Sequence, residues 1–171
     1  MLFRSKAKNY ALLGHDGQVS LTGAALRSRG IEPFQRHCIR AVVTLLLQER
    51  GGEIGAVFDR CREDIAAHRL PLADLAKREV LSMSPHTYAE KLQAGTTRRS
   101  AAYELALRSQ REYRQGDTVV FYVTGDRKNV PVVDASKLLA DAVDGERDEN
   151  VAYYLDKLAQ LRAKFAEFVP A

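Results

Sequence analysis

Three small groups of side chains in this chain have the type and spacing to meet phosphate. Lys8 and Tyr10 are alternate residues of segment 7–13, which can extend as a strand. Alternate strand residues point to one face. An ammonium there can contact a phosphate, and a phenol beside it can donate a hydrogen bond to a backbone oxygen. On residue type alone, an exposed lysine and a half-buried strand tyrosine is the simpler reading. Arg27 and Arg29 flank a Gly-rich junction, where main-chain N–H groups can also approach phosphate; a solvated loop is the alternative. Arg98 and Arg99 precede Ser100, a natural helix N-cap, and a helix N-terminus favours an anion. Thr96, Thr97 and Ser100 could add neutral contacts there, although an arginine pair at a helix start is common.

Catalytic chemistry finds little material. There is no phosphate loop, no G-x-G-x-x-G and no G-x-S-x-G. His15, His37, His68 and His86 are scattered over different segments, and Ser84-Pro85-His86 has no acidic orienter close by. Cys38 and Cys61 with four histidines give no zinc-ligand spacing, so no metal, no cofactor and no catalytic residue is expected. The two cysteines sit in apolar helical patterns and read as free thiols of a reducing compartment. Tyr153 and Tyr154 read as core and helix surface, and Asp148-Glu149 as helix-start charge.

The elements that must position these groups fit in 171 residues, enough for one ordinary domain or two small lobes. Hydrophobic residues make up 46% and charged residues 28%, the composition of a soluble globular chain. The longest apolar run, 41–47, is far too short to span a bilayer, and the first ten residues carry no apolar signal core. A cytoplasmic protein without membrane contact is expected. The net charge of +4 is unevenly spread. Residues 1–40 hold seven basic residues against Asp16 and Glu32, and 91–115 hold six against Glu104 and Glu112, whereas 126–150 hold four against seven acidic ones. Basic and acidic stretches point to a sided molecule whose basic side suits phosphate; a mixed surface with cancelling charges fits equally well.

Residues 7–22 pattern as a hairpin around Gly14-His15-Asp16-Gly17. Glu32-Pro33 opens a helix with Phe34, Cys38, Ile39, Val42, Leu45 and Leu46 as its apolar stripe, and Gly51-Gly52 closes it. A second helix presents Ile54, Val57, Phe58, Cys61 and Ile65, completing a helical hairpin. Residues 71–80 fit a short helix or an edge strand. Ser84 caps a turn, and Ser100 caps a helix that buries Tyr103, Ala106 and Leu107. TVVFYV (118–123) is a buried strand, VPVVD (130–134) its partner, and Asp148 or Asn150 starts a last helix through Phe168. That helix carries Tyr154, Leu155, Leu158, Leu161, Phe165 and Phe168 on one face. The fold class is α+β, mainly helical: an N-terminal β-hairpin, then a helical lobe with a few short strands.

Several segments stand in a telling order: Lys8-x-Tyr10 on a strand, a hairpin, Thr22-Gly23, basic residues and a long helix. Then come LAKREVLS (75–82), RRSAAYELALR (98–108), GDTVVFYV (116–123) and DENVAYYLDKL (148–158). Taken together they resemble the palm end and thumb of family B DNA polymerases, over residues 6–168. The resemblance implies a palm-like β-hairpin at 1–24 and a thumb-like helical domain at 25–171. It places Lys8 and Tyr10 against a primer–template duplex near the growing end, with Arg27, Arg29, Arg98 and Arg99 as further DNA contacts.

The departures from that family carry expectations of their own. Its catalytic carboxylates lie upstream of the Lys-x-Tyr strand, and two-metal phosphoryl transfer needs them. Here none of the six residues before Ala7 is acidic, and fingers and exonuclease have no counterpart, so no active site is expected in this chain alone. Gly30 follows Arg27-Ser28-Arg29 where the family often has an acid, and the tail FVPA lacks a clamp-docking motif. The expected function is a non-catalytic, duplex-DNA-binding thumb for DNA replication or repair. It would act as an accessory protein, a split subunit or a fragment, alongside a separately encoded palm and fingers; the Met1 start favours an independent product. The alternative is a protein-interaction module that keeps the fold without DNA binding and works through acidic residues 141–149.

Overall fold

A computed structural model describes residues 2–4, 10–16, 19–22 and 30–166, with side chains at 14–16 and 30–166. The fold is α+β and mainly helical, as expected. Near the N-terminus, β2 (Tyr10–Leu13) and β3 (Val19–Thr22) pair antiparallel, with Leu13 opposite Val19 and Tyr10 opposite Thr22. The turn residues Gly14, His15 and Asp16 are exposed. A further strand, β1 (Leu2–Arg4), lies along the other edge of β2, with Arg4 opposite Tyr10. Three residues are too few to show alternation, which is why the sequence gives no sign of it.

Helix α1 (Pro33–Leu47) starts where Glu32-Pro33 predicts and packs against β1 and β2. Its buried face is Phe34, Gln35, Cys38, Ile39, Val42, Val43 and Leu47, so the C-terminal half of the stripe turns toward Val43 and Leu47 rather than Leu45 and Leu46. Nor do the glycines end it. Glu49, at φ 60°, takes the left-handed position; its N–H bonds to Leu46 O and that of Arg50 to Leu45 O. This is the paired closure that usually takes glycine. Gly51–Glu53 instead form a 3₁₀ turn leading into α2 (Ile54–Ala66), which closes in the same way around His68 at φ 55°.

Two packing units emerge. One contains residues 1–70 and 154–171, the other 71–153. These boundaries follow contacts, whereas the division expected at residue 24 follows a resemblance to named polymerase parts. In the first unit, the helical hairpin is closed by α6 (Val151–Lys164) from Tyr154 onward. Phe34 meets Tyr154 edge to face at 5.9 Å, and Phe58 meets Phe165 at 6.4 Å. The Arg162 guanidinium lies over Phe58 and reaches Asp59 at 3.0 Å. Buried Glu32 accepts from Gln35 and pairs with Lys157 at 3.5 Å. Tyr154, Leu158, Leu161 and Phe165 are buried as the pattern predicts; Phe168 lies outside the described residues.

In the second unit, segment 71–80 resolves into both alternatives: one turn, α3 (Leu72–Leu75), then the edge strand β4 (Lys77–Val80). β5 (Thr118–Val123) is central, antiparallel to β4 and to β6 (Ser136–Leu138). The partner of β5 is thus SKL, not VPVVD; Pro131 instead starts a turn, its carbonyl accepting from Asp134 and Ala135 N–H. Helices α4 (Pro85–Gln93) and α5 (Ala101–Arg108) complete the unit. Leu81, Ala102, Leu105, Val119, Phe121 and Leu138 form its core. Leu105 takes the buried place expected for Leu107, which is 47% exposed. Among the described residues no helix is long and apolar enough to cross a membrane.

Candidate nucleic-acid interface

The best-described candidate surface is the link between α4 and α5. Ser84 caps α4 as predicted, its Oγ accepting from Thr87 N–H at 3.1 Å. The helix ends on Gly95 at φ +69°, and Lys91 O accepts from both the N–H and the hydroxyl of Thr96. At the other end, Ser100 N–H donates to Tyr88 Oη at 2.9 Å. Tyr88 is buried and stacks on Tyr103 at 4.5 Å, while Tyr103 Oη accepts from Met83 N–H at 3.0 Å. Both ends of the 94–100 link are therefore tied to rigid tyrosines or helix carbonyls. Ser100 does occupy the N-cap of α5, but its side chain makes no capping bond.

The two arginines on this link differ sharply. Arg99 forks onto Glu104 (2.7 and 2.8 Å) and reaches Asp134 at 2.7 Å. Those bonds, first to Glu104 and then to Asp134, hold its guanidinium even further above its ordinary range, and Arg99 holds the Asp134 carboxyl below the usual one. Arg98 is exposed and has no ion pair among the described residues. Lys91, Arg108 and Arg111 are likewise exposed without an ion pair, whereas Arg114 approaches Glu112 at 3.4 Å. Arg99, Arg108, Glu104 and Leu107 also line a shallow cavity of about 410 Å³ between α4 and α5.

Of the other predicted contacts, Lys8, Arg27 and Arg29 lie outside the described residues. Tyr10 is described as strand backbone only, at the start of β2 in the first unit. Two exposed cations in that unit, Arg36 and Arg40, stand one turn apart on α1, away from its buried stripe. The i, i+4 spacing opposite the apolar face was the available signal for them.

The end of the acidic stretch, Asp148 and Glu149, is committed to structure. Asp148 accepts from Tyr122 Oη at 2.6 Å and Lys137 Nζ at 2.8 Å. Burial alone would raise its carboxyl, but these two bonds prevail and hold it below the usual range. Glu149 is buried against Arg147. These acids are therefore held by side-chain partners rather than standing as free charge at a helix start. The helix start belongs to Asn150, fully buried, whose Oδ1 accepts from Tyr153 N–H at 2.9 Å. Its Nδ2 donates to Thr124 O (3.1 Å) and Arg127 O (2.8 Å), joining the β5 exit to α6. Asp141, Asp144 and Glu146 remain exposed.

The chain's fold is similar to part of a family B DNA polymerase. The solved structure is that of the enzyme from the hyperthermophilic archaeon Pyrobaculum calidifontis. The match has a TM-score of 0.74 at 20% identity and covers 99% of this chain but 21% of the polymerase. No family model matches the sequence, and no curated protein does either. The likeness thus lies in three-dimensional arrangement, at an identity where few side chains are shared. The likeness supports a polymerase-related fold.

Proposed function

We propose that this chain is a duplex-DNA-binding module corresponding to the palm-end hairpin and thumb of a family B DNA polymerase, with 1–24 palm-like and 25–171 thumb-like. It grips the sugar-phosphate backbone without sequence preference, for a polymerase of replication or repair that it serves as an accessory protein, a split subunit or a fragment. The observation that carries this is the fold likeness to part of a family B DNA polymerase, which covers 99% of this chain. Lys8, Tyr10, Arg27, Arg29 and Arg98 are the proposed contacts. Arg99, engaged by Glu104 and Asp134, serves that surface by fixing the link that carries Arg98. Cations displacing condensed counterions would make affinity fall steeply with salt.

The test is duplex binding by the purified chain over a salt series. Affinity on the order of 10⁻⁴ to 10⁻⁶ M near physiological salt is expected, independent of sequence. Lys8→Ala and Arg98→Ala should each lower the log–log salt slope by about one unit. Arg62→Ala, on a stretch of α2 that also carries Asp59, Glu63 and Asp64, should leave it unchanged. Arg99→Ala should lower thermal stability more than it lowers the slope. Binding indifferent to salt, or folded Lys8 and Arg98 variants that bind like the parent, would refute the backbone grip. The exposed Asp141, Asp144 and Glu146 favour a second reading, a module that docks a basic protein surface. Its signature would be no DNA shift, together with salt-sensitive capture of a polymerase subunit.

A further inference from the structure

Two tyrosines hold the α4–α5 link by their hydroxyls as well as by their rings. Tyr88 is 1% exposed and stacks on Tyr103, with the ring centroids 4.5 Å apart and 13° between the planes. Packing of that kind asks only for rings, which phenylalanine also supplies. The hydroxyls meet main-chain donors: Tyr103 Oη accepts from Met83 N–H at 3.0 Å, and Tyr88 Oη from Ser100 N–H at 2.9 Å. The stacked pair thereby joins the main chain just before α4 to the main chain just before α5. The link is held at three points: Thr96 by Lys91 O, the Arg99 side chain by Glu104 and Asp134, and the Ser100 main chain by Tyr88. Arg98 stands between these points, exposed and with no ion pair among the described residues. The Ser100 side chain makes no capping bond, so the bond to Tyr88 fixes this end of the link.

We propose that Tyr88 is a positioning residue for DNA binding: its hydroxyl, through Ser100 N–H, holds the link in the form that presents Arg98 to a backbone phosphate. This rests on the duplex-binding reading and adds to it a residue that touches no DNA. A guanidinium on a loose link must have several backbone torsions fixed when it binds, and that ordering subtracts from affinity. Here folding has already fixed them. Tyr88 is uncharged and buried, so its effect on a duplex passes through the cation it presents. Removing its hydroxyl therefore costs no more than removing the Arg98 guanidinium, about five-fold in affinity at physiological salt for one displaced counterion.

The experiment is a double-mutant cycle in the full chain, with Tyr88→Phe, Arg98→Ala and the two combined, each checked for folding by circular dichroism. Affinity for a fluorescently labelled duplex of mixed sequence is read by anisotropy over a salt series. Tyr88→Phe keeps the ring stack and every charge. It should weaken binding by about two- to five-fold at physiological salt in the parent background, and have no effect once Arg98 is alanine. Tyr122→Phe removes a buried phenol's bond to Asp148 elsewhere in the same unit. It should lower the melting point and leave binding unchanged. A Tyr88 that is merely structural would behave in the same way, with no coupling to Arg98. That result, or losses that simply add in the double variant, would overturn the proposal and leave the duplex reading standing; a parent chain that binds no duplex would remove both. Hydrogen exchange on the parent chain, followed by nuclear magnetic resonance, tests the tether even if Tyr88→Phe does not fold. The Ser100 amide should be protected like the amides inside α5, and exchange at the rate of an open loop would also overturn the proposal.

Discussion

Replacing Asn150 by alanine removes three hydrogen bonds while leaving the main-chain bond from its own N–H to Val123 O intact. The lost cap to Tyr153 N–H costs about 1 kcal/mol. Each donated bond to a carbonyl is worth about 1 kcal/mol net, more where the acceptor stays dry. Arg127 is exposed, so its carbonyl regains water; Thr124 is half-buried and recovers less. The sum is about 2–3 kcal/mol, which for a chain of this size lowers the melting point by about 5–10 °C. Urea unfolding followed by far-ultraviolet circular dichroism measures it, with an unchanged m value as the sign that stability alone has moved. Asn150→Asp sharpens the test. It keeps the acceptor for Tyr153 but turns a carboxylate oxygen toward two carbonyls in a fully buried site. At neutral pH it should be no more stable than the alanine variant. It should recover as acid protonates the carboxylate, because burial among carbonyls raises the folded pKa and stability is lost as pH rises through it. A loss for Asn150→Ala below about 0.5 kcal/mol, the range of an ordinary surface change, would refute the role given to this side chain.

Three further outcomes follow from the fold. Glu49 holds a left-handed conformation that costs an L-residue about 1–2 kcal/mol, so Glu49→Gly should stabilise by about 0.5–1 kcal/mol after the entropy of the freer unfolded chain is deducted. A lower urea midpoint for that variant would contradict the paired closure of α1. Burial, then the bond to Asp148, pushes the Tyr122 phenol well above its ordinary value. Its contribution is therefore complete below about pH 10 and is lost as pH rises beyond that. Tyr122→Phe should be less stable than the parent at neutral pH, and the gap should narrow above about pH 10. Asp148 runs the other way: its stabilisation holds above about pH 4 and is lost as pH falls through its depressed folded value.

Local chemistry was legible wherever one residue type has one job. Pro33 at the first turn of α1, Ser84 capping α4 and the β-branched run of β5 all read directly from the sequence. Legibility failed where several residues could do the same job. AVVTLLL (41–47) offers apolar side chains around most of the helix, so the choice of Val43 and Leu47 over Leu45 and Leu46 is made by the neighbours, not by the periodicity. The end of α1 was misplaced because glycine is the usual left-handed residue, and here Glu49 takes that place two positions ahead of Gly51. Asn150 was visible as a helix start, yet nothing nearby in sequence reveals that its amide faces carbonyls at 124 and 127.

The candidate interface shows the same division between local and long-range information, with consequences for function. Counted along the chain, residues 91–115 carry an excess of four positive charges, and Arg98 and Arg99 look equivalent. Folding breaks the equivalence by bringing Asp134, 35 residues away, onto Arg99, together with Glu104 from the next helix turn. A guanidinium forked onto two carboxylates must give up those bonds before it can take a phosphate, whereas its neighbour need give up nothing. Under the proposed function, the cations this surface offers a polyanion are those with no ion pair among the described residues, Arg98 with Lys91, Arg108 and Arg111, rather than the total. The paired arginine has a different value: it fixes the direction of the link on which Arg98 is presented. Stiffness and charge, adjacent in sequence as two identical residues, are thus divided between them by contacts that neither residue's own neighbourhood encodes.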